Sequence, residues 1–177
     1  MNANFSKHLN LLALLLVDVV LGAAFYVQIT LHELPCPLCL LQRIAFAGLA
    51  VGLAANVLRG RHPAHYGGMI LVAVLGMLVA VRQMLLHIAP TDPGFGSLVM
   101  GMHMYTWAAL VFLLAIVGAA LMLLIDFSGH QRTSMLSSTP RRTALDWVVL
   151  GITVLFIFGN AVNVFMMCGL YACPENP

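Results

Sequence analysis

The chain has 177 residues, of which 62% are hydrophobic and 8% are charged, and its mean hydropathy is +0.98. The chain has too few polar side chains to cover the surface of a water-soluble globular protein, and this composition is typical of a membrane protein. The formal net charge of +2 is small and scattered along the chain, which argues against nucleic-acid binding.

Five apolar runs follow one another along the chain, and each is long enough to cross a bilayer as a helix. A spanning helix needs about 20 mostly apolar residues, and the runs lack the alternation of a barrel strand. The sequence therefore predicts an all-α integral membrane protein with a single membrane domain. The predicted spans are approximately 9–31, 38–58, 67–89, 105–125 and 147–167, followed by a tail at 168–177.

The first run has a second interpretation as a cleaved signal peptide. Lys7 precedes it, and Gly22, Ala23 and Ala24 supply small residues for a cleavage site. The apolar run continues past Ala24 to Leu31, which favours a retained helix. The other four spans have the same topology in either case.

The second span begins with a C-x-x-C motif formed by Cys36 and Cys39. Unpaired N–H groups and the helix dipole favour an anion at this position, and the thiolate is the reactive form of cysteine. Arg43 follows Cys39 by one helical turn, where its cation can stabilise a thiolate or the oxygen of a reduced quinone. The alternatives are a structural disulfide, which closes too short a loop to stabilise much, and an Arg43 that reaches lipid headgroups.

Other polar residues lie inside the predicted spans. His87 is a candidate proton donor to a reduced quinone, because an unperturbed histidine titrates near neutral pH; the alternative is an interfacial histidine. Arg82 lies deeper in the same span and is a candidate quinone ligand. Its pairing with Asp18 is disfavoured, since Asp18 lies at the middle of the first span. Asn160 and Asn163 are expected to form hydrogen bonds between helices.

A second cysteine pair follows the fifth span, at Cys168 and Cys173. Gly169 and two prolines stop the helix there. Four cysteines allow three pairings, and closeness in sequence favours Cys36 with Cys39 and Cys168 with Cys173. A mobile tail bearing cysteines suits a shuttle between a soluble protein and Cys36 and Cys39; the alternative is a staple that orders the tail.

Most basic residues lie in the segments that connect the spans on one side of the membrane. The loops at 32–37 and 90–104 and the tail have no Lys or Arg. The positive-inside rule then predicts a cytoplasmic N-terminus and an exported C-terminus. All four cysteines lie on the exported side, where disulfides persist. The basic residues on the predicted cytoplasmic side are Lys7, Arg59, Arg61, Arg132, Arg141 and Arg142.

The string PCPLCLLQR at residues 35–43 resembles the DsbB family of disulfide bond formation proteins, which has C-x-x-C-x-x-x-R at the outer start of its second transmembrane helix. The resemblance extends in helix order and loop length over roughly residues 9–125. It implies a DsbB-like four-helix transmembrane bundle in the bacterial inner membrane, to which this chain adds a fifth transmembrane helix.

The same resemblance implies that ubiquinone or menaquinone binds near the outer ends of the helices, and that no metal is needed. Cys36 and Cys39 would be the pair that faces the quinone, with Cys39 engaging it and Arg43 binding its oxygen. A second pair would oxidise a soluble periplasmic thioredoxin-like protein similar to DsbA. Family members carry that pair between helices three and four, whereas the loop at 90–104 has no cysteine, so Cys168 and Cys173 are assigned the role.

Two metal-based alternatives remain. Met100, Met102, His103 and Met104 form a cluster whose soft sulfurs suit Cu(I), so a copper-handling protein is the second hypothesis; otherwise this segment lies on the membrane surface. The third hypothesis is a structural zinc site of four thiolates, which competes poorly with disulfide formation in an oxidising compartment.

Overall fold

The computed structural model describes residues 3–32, 34–89, 91–128, 142–169 and 173. Five helices within these ranges are long and apolar enough to cross a membrane, which confirms the predicted all-α membrane fold. The elements in chain order are α1 (Ala3–Thr30), α2 (Pro37–Arg59), α3 (Pro63–Leu86), β1 (Leu98–Val99), β2 (Met102–His103), α4 (Met104–Ser128) and α5 (Ala144–Cys168).

The helices α1 and α5 each begin earlier than the apolar runs suggest, at Ala3 and Ala144. Near these starts, a buried ion pair joins the two helices inside the bundle. Lys7 Nζ donates to Asp146 Oδ2 at 2.6 Å, and both side chains are buried. Because the two charges satisfy each other, both residues are accommodated within helices rather than in the flanking loops.

The helix α2 lies at the centre of the bundle, packed against α1, α3 and α5, and α4 packs against α3. Phe46 of α2 stacks on Phe112 of α4 with ring centres 4.2 Å apart. Gly76 of α3 makes this possible, since a Cβ there would collide with Phe112 and with Ala45. Small residues at such crossings let membrane helices approach closely.

The helix α5 packs on α1 and α2 and runs parallel to α1, because residues of increasing number in one helix meet residues of increasing number in the other. The polar contacts between them are Lys7 with Asp146, Asp18 with Thr153, and Gln28 with Asn163. In addition, Arg142 Nη2 donates to Leu58 O at the end of α2. The basic residues Lys7 and Arg142 therefore share one end of the bundle, and the cysteine motif lies at the other.

A short hairpin precedes α4. The strands β1 and β2 pair antiparallel, with Leu98 opposite His103. Met100 and Gly101 form the turn with φ of 53° and 82°, the positive values that a two-residue hairpin turn requires. Trp107 Nε1 donates to Val99 O at 2.9 Å and fixes the hairpin to the start of α4.

Candidate functional site

The disulfide between Cys36 and Cys39 forms the N-terminus of α2. Pro37 occupies the first turn of the helix, where its fixed φ and missing N–H are tolerated. Cys36 is the N-cap, and the Cys39 N–H donates to Cys36 Sγ at 3.0 Å. The helix start thus directs an N–H at a reactive sulfur, as the motif suggested.

Two buried glutamines extend this arrangement. Gln83 Nε2, from α3, lies 3.3 Å from Cys36 Sγ and 3.6 Å from Cys39 Sγ. Gln42 Nε2 donates to Gln83 Oε1 at 2.8 Å. Neither glutamine was identified from the sequence. A signal was present: three of the four glutamines, at 28, 42 and 83, lie inside predicted spans, and polar groups there usually face the bundle interior.

Arg43 points into the bundle and toward α1. Its Nη1 donates to Gln28 Oε1 at 2.7 Å and its Nη2 to Ala24 O at 3.0 Å. The guanidinium carbon also lies 5.4 Å from the centre of the Phe25 ring, within the range of a cation–π contact. Gln28 is held in turn by Asn163 of α5 through two amide hydrogen bonds of 3.0 and 3.2 Å. The guanidinium is thus fixed by several contacts.

A cavity of about 310 Å³ opens beside these residues, between α1, α2 and α4. Cys39 and Arg43 both line it. Phe95 and Met100, from the loop before α4, cover part of it. Its walls are largely apolar, and its polar groups are drawn mainly from Gln28, Gln42, Gln83, Arg43 and Tyr105. This combination of an apolar wall with a few convergent polar groups is typical of a small-molecule site.

His87 does not line this cavity but lies behind a residue that does. It caps the end of α3, and its Nδ1 lies 3.0 Å from Asp92 Oδ2. Its ring stacks on Tyr105, which lines the cavity. The pKa of Asp92 is lowered by the N–H of Gly94 and by the contact with His87. His87 is therefore not among the residues that line the cavity but packs against Tyr105, which is.

Arg82 is placed differently. Its side chain is exposed on α3, and it is not among the residues that line the cavity. The next residue, Gln83, occupies the inward position instead and is 2% exposed. The structure thus brings together Cys36, Cys39 and Arg43, with His87 behind Tyr105, and leaves Arg82 outside this group.

The second cysteine pair is also a disulfide, between Cys168 and Cys173. The helix α5 ends there because Gly169 adopts a positive φ of 60° and its N–H donates to Phe165 O at 2.8 Å. The predicted mobility of the tail concerns residues 170–172 and 174–177, which lie outside the described residues. Asn163, about one turn before the end of α5, forms a hydrogen bond with Gln28, which lines the cavity.

The structure places the residues of the two metal hypotheses as follows. Within the described ranges, no group of three or more His, Cys, Asp and Glu side chains is placed to hold a metal ion. Both cysteine pairs are disulfides, a form that does not present thiolates to zinc. Met100 is 85% exposed, and Met100 and Met104 contribute to the apolar wall of the cavity.

Comparison with known proteins gave one family. The family model described as disulfide bond formation protein DsbB matches residues 6–97, just over half of the chain. Proteins named disulfide bond formation protein B are similar to it. The one from Xanthomonas axonopodis pv. citri is 41% identical over 87 residues, which cover 46% of this chain and 51% of that protein. The one from Cupriavidus necator is 35% identical over 91 residues, covering 51% and 56%.

The chain spans about half the length of the curated relatives it matches. No solved structure gives a significant match. The matched residues include Cys36, Cys39, Arg43 and His87 but end before α4. The resemblance is therefore shorter than the stretch of 9–125 expected from helix order, and Cys168 and Cys173 lie beyond it.

Proposed function

The chain belongs to the DsbB family of disulfide bond formation proteins, and from this premise we propose that it is a membrane thiol:quinone oxidoreductase that generates disulfides. The observation that carries the proposal is the cavity at the C-x-x-C motif. Cys39 and Arg43 lie on the same wall, so a redox-active sulfur and a fixed cation face one apolar space. Electrons leaving the sulfur would enter an acceptor held beside the cation.

The proposed electron path begins at a soluble periplasmic thioredoxin-like protein similar to DsbA. Its dithiol reduces the disulfide of Cys168 and Cys173, and this pair then reduces the disulfide of Cys36 and Cys39. In each exchange a thiolate attacks one sulfur, the old S–S bond breaks, and the electron pair leaves on the other sulfur. Two electrons and two protons thus pass from one dithiol to the next.

The residues around the cavity fit a quinone, either ubiquinone or menaquinone. When bound, the quinone would accept the two electrons and two protons of the reduced pair. The apolar walls suit a quinone ring, and Arg43 supplies hydrogen-bond donors for an oxygen. A guanidinium has five N–H groups, and the bonds to Gln28 and Ala24 leave others for this purpose. His87 stacks on Tyr105, which lines the cavity, and this closeness supports His87 as the proposed proton source.

Replacing Arg43 by alanine is expected to slow quinone reduction by about 100-fold, since a preorganised donor at developing negative charge contributes this much. Arg43→Lys should retain part of the activity, because it keeps the charge but loses the two-pronged contact with Gln28 and Ala24. The measurement is the rate of quinone reduction by the purified protein in detergent, with a small dithiol as donor.

Arg59→Ala is the matched control for this experiment. Arg59 lies on the same helix but in its last turn, at the opposite end of the bundle. Its replacement should leave the rate unchanged. Wild-type rates in both Arg43 variants would remove Arg43 from the quinone site and would favour a purely structural role.

We also propose that the protein lies in the bacterial inner membrane with its N-terminus in the cytoplasm. The basic residues Lys7 and Arg142 share one end of the bundle with Arg59, in keeping with the positive-inside rule. An alkaline phosphatase reporter fused after Pro177 is expected to be active, and one inserted at residues 134–139 inactive. The reverse pattern would separate the second cysteine pair from its proposed periplasmic partner.

A further inference from the structure

The amide of Gln83 makes an unusual contact with the disulfide. Its Nε2 lies 3.3 Å from Cys36 Sγ and 3.6 Å from Cys39 Sγ, and the side chain is 2% exposed. A disulfide sulfur is a weak acceptor, so the amide gains little from it in exchange for leaving water. A thiolate is a much stronger acceptor. The position of Gln83 therefore matches the reduced pair better than the oxidised pair.

Gln42 determines which end of the Gln83 amide faces the sulfurs. Gln42 Nε2 donates to Gln83 Oε1 at 2.8 Å, and that oxygen lies 3.9 Å from Cys39 Sγ. With the oxygen held by Gln42, the NH2 group is the end of the amide nearer to both sulfurs. In the opposite orientation the oxygen would face them and would repel a thiolate. Since Gln42 is itself 6% exposed, packing limits its freedom to release this contact.

We propose that Gln83 is a catalytic residue whose N–H groups stabilise the thiolate released when the Cys36–Cys39 disulfide opens, and that Gln42 is the positioning residue that keeps this amide in its donating orientation. The step is a thiol exchange. An incoming thiolate forms a bond with one sulfur of the pair, the S–S bond breaks, and its electron pair leaves on the other sulfur. Because the amide is within reach of both sulfurs, it serves whichever one carries the charge.

This proposal deepens the function proposed above and rests on it, since it assumes that the pair is opened during turnover. Its test needs neither quinone nor protein partner. The full chain carrying Cys168→Ala and Cys173→Ala retains a single pair, which is reduced and then alkylated with iodoacetamide across a range of pH. Gln83→Met is expected to move the pH profile of alkylation upward by about one unit, as loss of a hydrogen bond to a charged group implies.

Three further measurements accompany it. Gln83→Met should slow the opening of the disulfide by a small dithiol by about tenfold, corresponding to the same loss. Gln42→Met leaves the Gln83 amide in place but releases its oxygen, and should produce a smaller shift in the same direction. Gln83→Asn keeps a polar side chain at the site but withdraws it from the sulfurs, so its profile should resemble that of Gln83→Met.

The control is a buried amide contact remote from the sulfurs. Asn56 Nδ2 of α2 donates to Asn10 Oδ1 of α1 at 3.0 Å, and Asn56→Leu removes this contact without touching the cysteines. Its profile should match that of the unmodified background. An unshifted profile in any folded Gln83 variant overturns the proposal, and if none folds, an unshifted Gln42→Met does so. A shifted profile in a chain that cannot reduce quinone would instead overturn the quinone function alone.

Discussion

Replacing Cys36 and Cys39 together by alanine is expected to abolish quinone reduction with every electron donor, with a loss of at least about 1000-fold. The reason is the position of this pair. Cys39 lines the cavity and Cys36 is its disulfide partner, whereas Cys168 and Cys173 are not among the residues that line the cavity. The measurement is quinone consumption with a small dithiol and with a thioredoxin-like protein.

The complementary variant carries alanine at Cys168 and Cys173. It should lose oxidation of the protein substrate while a small dithiol still drives quinone reduction through Cys36 and Cys39. This result would separate a pair that meets the soluble partner from a pair that meets the quinone. Unchanged oxidation of the protein substrate would show that Cys168 and Cys173 only staple the tail.

Neutralising Asp146 is expected to lower the free energy of unfolding by about 3 kcal/mol or more. Asp146 and Lys7 are 1% and 6% exposed, and removal of one partner of a buried ion pair leaves the other charge in a costly environment. Asp146→Asn is the preferred change, because the amide oxygen can still accept from the Thr143 N–H, which now donates to Asp146 Oδ2. The measurement is denaturant unfolding in mixed micelles.

The double variant Asp146→Asn with Lys7→Met provides the matched comparison. It removes both charges and should recover most of the lost stability, since replacing a buried pair by neutral groups is often close to neutral. Arg142→Ala, at an exposed charge near the start of the same helix, should change the free energy of unfolding by less than about 1 kcal/mol. If the single and double variants are equally unstable, the charge itself is not the cause.

Much of the architecture followed from the sequence because hydropathy alone distinguishes a spanning helix. The position of Cys36 and Cys39 at the start of α2 and the placement of Arg43 one turn later were also predictable, since the motif and helical spacing fix them. Asn163 forms the interhelical hydrogen bond expected of it. Asn160 instead donates to Phe156 O in its own helix.

The inward face of α3 was not predictable in the same way. Successive helical residues differ in direction by about 100°, so the choice between Arg82 and Gln83 depends on the rotation of α3 against α2. In a helix that is apolar all round, hydropathy does not reveal this rotation. Packing decides it, through contacts such as that between Gly76 and Phe112.

The contacts of α5 could not be predicted from the sequence, for a different reason. The Lys7–Asp146 pair joins residues 139 positions apart, and no local pattern relates them. From the sequence, Lys7 indicates orientation and the charged start of an alternative signal peptide, and neither interpretation points to a buried partner. The hairpin was missed because its turn places Met100 in a left-handed conformation, which is uncommon for a residue other than glycine.

The parallel pairing of α1 with α5 also bears on how the chain is made. A ribosome delivers α1 to the bilayer before α5, yet Asp18 of α1 obtains its partner Thr153 only from α5, which also supplies Asn163 as one of the partners of Gln28. Before α5 is inserted, α1 lies in hydrocarbon without those hydrogen bonds, a costly situation. The insertion of α5 therefore supplies polar contacts that α1 lacks at the time of its own synthesis.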